Sequence, residues 1–154
     1  MDFFTAFEAL STTEKVASAI SSVIKNSRGH KRAILRELKE NLDLLLMIWE
    51  KSASLERVVP KLTFKAYIAA ADSGFNFKKI ARGSLKAKST HGVKQFQKYI
   101  GWSTEKLFEN IYLKVRQLQN ILELNNHKTG INLEIRVEYL TRMLILLLKH
   151  IGPD

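Results

Sequence analysis

The chain of 154 residues has no cysteine, which excludes disulfide bonds and thiolate chemistry. Its content of 45% hydrophobic and 26% charged residues is typical of a globular protein and excludes a disordered chain. The net charge is +10. Since the sequence has no secretory signal and no apolar run long enough to cross a bilayer, we expect a cytoplasmic protein with one helical domain over residues 1–154.

Four long segments carry apolar residues at alternating spacings of three and four, which predicts helices with one buried stripe each. The predicted helices cover residues 11–26, 30–53, 103–125 and 132–151. Short turns join the first to the second and the third to the fourth, so each pair should form an antiparallel hairpin. The predicted fold is therefore all-α, an antiparallel four-helix bundle.

Each predicted helix should pack into the bundle through its apolar stripe. Ser103 or Thr104 can cap the start of the third long helix, and a glycine at position 152 fits the end of the fourth. The stripes consist of Val16, Ile20 and Val23; Leu35, Leu38, Leu42, Leu45 and Trp49; Phe108, Ile111, Val115, Leu118 and Leu122; and Leu133, Val137, Leu140, Leu144, Leu147 and Ile151.

The second and third long helices are separated by residues 54–102, here called the basic insertion, which is too long for a bare loop in a compact domain. We expect it to fold as part of the domain through short helices. Residues 75–89 carry no clear pattern. The predicted short helices cover residues 54–59, 62–72 and 90–100, ending at Pro60, Gly74 and Gly101.

Nearly all of the net charge lies in this insertion. Residues 61–100 hold nine basic residues and one acidic residue, Asp72, for a net charge of +8, whereas residues 1–60 and 101–154 carry +1 each. One sign of charge concentrated in one segment favours an anionic partner. The residues predicted to bind that partner are Lys78, Lys79, Arg82, Lys86, Lys88, Lys94 and Lys98.

Aromatic residues are interleaved with these bases, a combination that suits nucleic acid because cations neutralise phosphates and rings stack on bases. The alternative is that the rings at helical spacing belong to the core. The predicted partner is nucleic acid or another polyanion, with an acidic protein or an anionic membrane surface as the other choices. The residues expected in the core are Phe64, Tyr67 and Ile68, and Phe96, Tyr99 and Ile100.

The last helix is apolar on all sides between Met143 and Leu148. A helix with one buried face does not need such a run. Two explanations carry equal weight: a central position in the bundle, or an interface with a second copy or another protein.

The sequence gives little support to catalysis. The four histidines lack metal-ligand spacing, so we expect no metal and no cofactor. Some small helical RNases have four to six residues between an arginine and a histidine on the last helix, but here seven residues separate Arg142 from His150. The competing interpretation is a solvated Arg142 and a His150 that interacts with the carbonyls at the helix end.

These observations predict a non-enzymatic helical nucleic-acid-binding or scaffolding subunit of a larger assembly, which binds the phosphate backbone through the basic insertion. One alternative is an interaction or regulatory bundle that does not bind nucleic acid. The other is a small helical RNase or toxin that uses Arg142 and His150.

Overall fold

The computed structural model describes residues 15–90, 93–125 and 132–152. The predicted start of the first helix, the turn between the last two long helices, and residues 91 and 92 of the predicted helix 90–100 lie outside these ranges.

The described residues form an all-α structure, as predicted. Their one β feature is an isolated antiparallel bridge between Ser84 and Ser103. The described part of α1 covers residues 15–25, and the remaining α-helices are α2 (Gly29–Lys51), α3 (Leu55–Val58), α4 (Lys65–Asp72), α5 (Thr104–Asn125) and α6 (Leu133–Ile151).

Besides α3 and α4, the insertion contains short 3-10 helices. These cover Val59–Lys61, Phe77–Lys79, Ala87–Thr90 and Lys94–Tyr99. The predicted helix 54–59 corresponds to α3, which ends at Val58, and the fixed φ of Pro60 fits the first turn of the 3-10 helix that follows. The predicted helix 90–100 is also shorter than expected and has 3-10 geometry over its described residues.

The predicted stripes do face the core: their residues are buried or packed against it. Ser103 caps α5, since its hydroxyl oxygen accepts the Lys106 N–H at 3.2 Å. None of the described helices combines the length and the apolarity needed to cross a membrane.

Helices α5 and α6 run antiparallel. The first residue of α5, Thr104, meets His150 near the end of α6, and Lys114 further along α5 meets Tyr139 in the first half of α6. Helix α6 also packs on α2, where the Trp49 indole N–H donates to the Thr141 hydroxyl at 3.2 Å. These contacts agree with the predicted four-helix bundle.

The apolar run of α6 occupies the centre of this arrangement. All six residues from Met143 to Leu148 are at most 5% exposed within the single chain. The basic insertion contributes to this burial, since Ala87–Thr90 packs against α6. Of the two explanations for the run, the structure supports the central position.

Candidate nucleic-acid interface

Two buried polar side chains of α2 hold the first half of the basic insertion. The Glu37 carboxylate accepts the Ala66 N–H at 2.9 Å and the Tyr67 N–H at 3.1 Å. The Asn41 amide donates to the Thr63 carbonyl at 2.7 Å and accepts the Thr63 N–H at 3.1 Å. Because α4 has no capping side chain of its own, Glu37 supplies the missing acceptors at its start.

The carboxyl of Glu37 lies in an unusual environment for an acid. Burial raises its pKa above the usual value, and the nearby Glu40 raises it further, whereas the N–H donors of Ala66 and Tyr67 lower it. A buried acid whose oxygens are both bonded is well suited to fixing one backbone segment in place.

Helix α5 holds other parts of the insertion through side chains that bond backbone carbonyls. The Gln119 amide donates to the carbonyls of Val59 at 3.1 Å and Leu62 at 2.9 Å. The Thr104 hydroxyl donates to the Ala81 carbonyl at 3.0 Å. These bonds satisfy polar groups where the chain is irregular, so the insertion is fixed to the long helices by specific contacts.

Backbone hydrogen bonds of Leu85 also join the middle of the insertion to its end. Its N–H donates to the Trp102 carbonyl and its own carbonyl accepts the Gly101 N–H, both at 2.9 Å. The Leu85 side chain is 1% exposed. Gly101 has a φ of +91°, a backbone conformation that favours glycine. The insertion is therefore a folded part of the structure, as predicted.

All seven predicted binding residues are exposed on this frame. For six of them, Lys78, Lys79, Arg82, Lys86, Lys94 and Lys98, no carboxylate oxygen of the described residues lies within 4 Å of the charged group.

Several of these bases lie near the end of the bundle where α5 begins and α6 ends. Ala81, next to Arg82, is bonded to the first residue of α5. The charge of Lys86 lowers the pKa of His150 near the end of α6. The ring of Phe77, which precedes Lys78 and Lys79, lies 5.5 Å from that of Phe108 on α5. Whether all seven form one continuous surface stays a prediction.

Most aromatic rings of the insertion are core residues, so they are closed to nucleobases. Ile68 and Ile100, which were expected in the core, are 38% and 37% exposed. Ile100 is exposed because the preceding 3-10 helix, Lys94–Tyr99, has three residues per turn. This spacing places Phe96 and Tyr99 on its buried face, and residue 100 lies outside that face. The buried rings are Phe64, Tyr67, Phe77, Phe96 and Tyr99, whereas Phe75 and Trp102 are half-buried.

Sequence reasoning missed a second group of cations, on α5. The Lys106 ammonium lies 4.1 Å from the centre of the Trp102 ring. The Lys114 ammonium lies 5.3 Å from the centre of the Tyr139 ring, and Lys98 of the predicted site lies 6.0 Å from the same ring. The spacing of 102, 106 and 114, by four residues and then by eight, was a signal in the sequence, but it did not show which face of α5 remains uncovered.

The Tyr139 ring at this place is held firmly. Its hydroxyl is hydrogen-bonded to the Tyr99 hydroxyl at 2.5 Å. Burial raises the pKa of Tyr139 above its usual value, and the hydrogen bond with Tyr99 raises it further. Tyr139 is therefore a neutral, oriented ring between two lysine side chains.

Arg142 and His150, the alternative catalytic pair, both have intramolecular partners. The Arg142 guanidinium donates to the Glu138 carboxylate at 2.7 Å, so it is a half-buried ion-paired residue and not a solvated one. The His150 Nε2 lies 2.9 Å from the Thr104 hydroxyl. This contact, rather than one with the helix-end carbonyls, is the interaction that the structure gives to its ring.

The environment of His150 favours a neutral ring. Burial lowers its pKa, and the positive charge of Lys86 lowers it further. Since the Thr104 hydroxyl has one proton and donates it to Ala81, the imidazole N–H donates to the hydroxyl oxygen. His150 thus links the end of α6, the start of α5 and the insertion.

Among residues 15–90, 93–125 and 132–152, no three histidine or acidic side chains are grouped as metal ligands. Compared with known proteins, the chain matches no family model, and neither a characterised protein nor a solved structure is significantly similar to it.

Proposed function

We propose that this protein is a non-enzymatic nucleic-acid-binding protein that contacts the phosphate backbone through its basic insertion. The observation that carries the proposal is the combination of a firmly anchored insertion with exposed cations that lack nearby carboxylates. Six of the seven predicted bases have this property among the described residues. Such cations bind phosphates without first breaking an ion pair.

The expected mode of binding is electrostatic and independent of sequence. Lysine and arginine that neutralise phosphates release condensed counterions, which makes the affinity strongly dependent on salt. Because the rings of Phe64, Tyr67, Phe77, Phe96 and Tyr99 are buried, the cations supply most of the contact surface of the insertion. The protein would act as a subunit that holds or scaffolds nucleic acid in a larger assembly.

The two alternatives have less support. An interface through the last helix was suggested by its apolar run, but Met143 to Leu148 are covered within the single chain. An RNase would require Arg142 and His150 to act on substrate, whereas Arg142 is bonded to Glu138 and His150 to Thr104.

The proposal is tested by titrating labelled duplex DNA with the full chain over a series of salt concentrations. If six bases meet phosphates, the logarithm of the association constant should fall against the logarithm of salt with a slope of about −5. Replacing Lys78, Lys79 and Arg82 by glutamine should weaken binding to every sequence alike and reduce the slope to about −2 or −3.

The matched control replaces Lys25, Arg36 and Lys51 by glutamine, which removes the same charge from exposed positions outside the basic insertion. This variant should retain nearly the full slope. If the two triple variants bind equally well, the proposed site is wrong. If wild type binds no nucleic acid at low salt, the proposed function is wrong.

A further inference from the structure

A row of residues along α5 points to a more specific ligand. Lys106, Asn110 and Lys114 are spaced by four, so they lie on one face of the helix, and Trp102 stands one step before them. Lys106 is exposed, whereas Trp102, Asn110 and Lys114 are partly exposed. None of these four residues belongs to the site predicted from charge.

Two acidic residues of α5 lie near α4. Glu105 and Glu109 act on Tyr67, whose pKa is raised by burial first and then by these two charges. Lys114, by contrast, faces Tyr139. Two acids of α5 are therefore near Tyr67 of α4, whereas Lys114 of α5 lies over a ring of α6.

The acid that precedes Tyr139 on α6 is already engaged. Glu138 precedes Tyr139 on α6 and accepts the Arg142 guanidinium at 2.7 Å. Among the described residues, no carboxylate oxygen lies within 4 Å of the ammonium groups of Lys98, Lys106 or Lys114. These three lysines interact with aromatic rings instead.

Trp102 is the aromatic residue best placed to receive a base. It is half-buried, and an edge-on contact with the Tyr99 ring, at 4.8 Å between centroids and 88° between planes, fixes its orientation. The Lys106 ammonium over its face is held by a flexible side chain, which can move to a phosphate and leave the ring to a nucleobase. Base stacking on an aromatic ring is generally stronger than an exposed cation–π contact, so this exchange is favourable.

Asn110 adds a polar group between the two lysines. Among the described residues, its buried Oδ1 finds no hydrogen-bond partner. Turning this oxygen toward a ligand on this face would therefore break no bond that it makes. From Lys106 to Lys114 the helix rises by about 12 Å, so the two ammonium groups can contact different phosphates of one strand.

We propose that this face, consisting of Lys98, Trp102, Lys106, Asn110, Lys114 and Tyr139, binds a single strand of nucleic acid, with an unpaired base stacked on Trp102. The inference rests on the proposed function and makes it more specific. A duplex keeps its bases paired and stacked internally, so it would gain nothing from an exposed ring. A single strand can stack an unpaired base on the ring and place its phosphates along the row of lysines.

The test uses the full chain with single-stranded DNA, single-stranded RNA and duplex DNA of equal length. Trp102 fluorescence, measured in the Trp49→Phe variant, should be quenched by both single strands and unchanged by the duplex. Trp102→Leu should weaken single-strand binding about 5- to 100-fold, whereas Trp102→Phe should restore most of the affinity because it keeps an aromatic face.

Replacing Lys106 and Lys114 together by glutamine tests the row without disturbing the half-buried tryptophan. The salt slope for a single strand should become shallower by about 1.4, while the matched Lys25→Gln, Lys51→Gln variant keeps its slope. The ratio of the DNA and RNA affinities then shows which single strand is preferred.

The outcomes separate this inference from the proposed function. Binding that needs Lys78, Lys79 and Arg82 but is indifferent to Trp102, Lys106 and Lys114 overturns the inference and leaves the proposed function intact. A duplex that quenches Trp102 as strongly as a single strand also overturns it. Absence of binding to all three nucleic acids overturns both.

Discussion

The cap that Glu37 provides for α4 leads to a quantitative prediction. Glu37→Ala leaves the N–H groups of Ala66 and Tyr67 without an acceptor. An unsatisfied buried donor costs about 1–3 kcal/mol, and water can serve the half-buried Ala66 better than the buried Tyr67. The substitution also removes a carboxyl whose charged form is disfavoured by burial, which raises its pKa, and this offsets part of the cost. We expect the free energy of unfolding to fall by about 2 kcal/mol.

The free energy is measured by urea unfolding followed by far-UV circular dichroism. In thermal unfolding followed by the same signal, the melting temperature should fall by about 4–8 °C. Glu40→Ala is the matched control, because Glu40 is an exposed glutamate on the same helix, and it should leave stability nearly unchanged. A Glu37→Ala variant within about 0.5 kcal/mol of wild type would refute the reasoning that this carboxylate holds the insertion.

The pH dependence provides an independent check on Glu37. Burial raises its folded-state pKa, so the folded chain takes up this proton at a higher pH than the unfolded chain. Its contribution to stability therefore increases as the pH falls through the raised pKa toward the ordinary value of 4.5, and decreases as the pH rises. The difference in unfolding free energy between wild type and Glu37→Ala should grow on acidification. A difference that stays constant would contradict this assignment.

Two further predictions concern the packing of the insertion and the environment of His150 at the end of α6. Leu85→Ala should lower the free energy of unfolding by about 2–5 kcal/mol in a urea titration, because the side chain is 1% exposed, whereas Leu113→Ala at a 56% exposed position should cost much less. The pKa of His150 is lowered by burial and then by Lys86. As the pH falls, the unfolded chain therefore protonates this ring at a higher pH than the folded chain does. The free energy of unfolding should decrease as the pH drops below about 6.5. His150→Gln should flatten this pH dependence in the same assay, and an unchanged profile would show that another group causes it.

The positions of the long helices could be predicted from the sequence because each depends on a local pattern. The stripe of α2, with Leu35, Leu38 and Leu42, repeats every three or four residues, and any helix with that repeat buries one face. Ser103 was recognised as a cap for the same reason, since capping involves residues three apart in the chain. The exposed cations of the insertion were also predictable, because lysine is rarely fully buried.

The details of the insertion were not predictable, because they depend on partners distant in sequence. Glu37 caps a helix about thirty residues away, and Gln119 bonds carbonyls nearly sixty residues before it. The local pattern around Ile100 suggested a core residue, yet the 3-10 geometry of the preceding turn leaves it exposed. Short segments have weak intrinsic preferences, so the surface on which they pack decides their conformation.

By itself, the sequence determined that the chain is helical, where its long helices lie and that one segment carries almost all of the net charge. These properties follow from the order of apolar, polar and charged residues along the chain. Only the tertiary structure decided that the apolar run of α6 is central, that most rings of the insertion are buried, that Lys106 lies over Trp102 and that Lys114 lies over Tyr139. The physical reason is that burial and cation–ring contacts depend on which helices meet, and that is set by the packing of the whole chain.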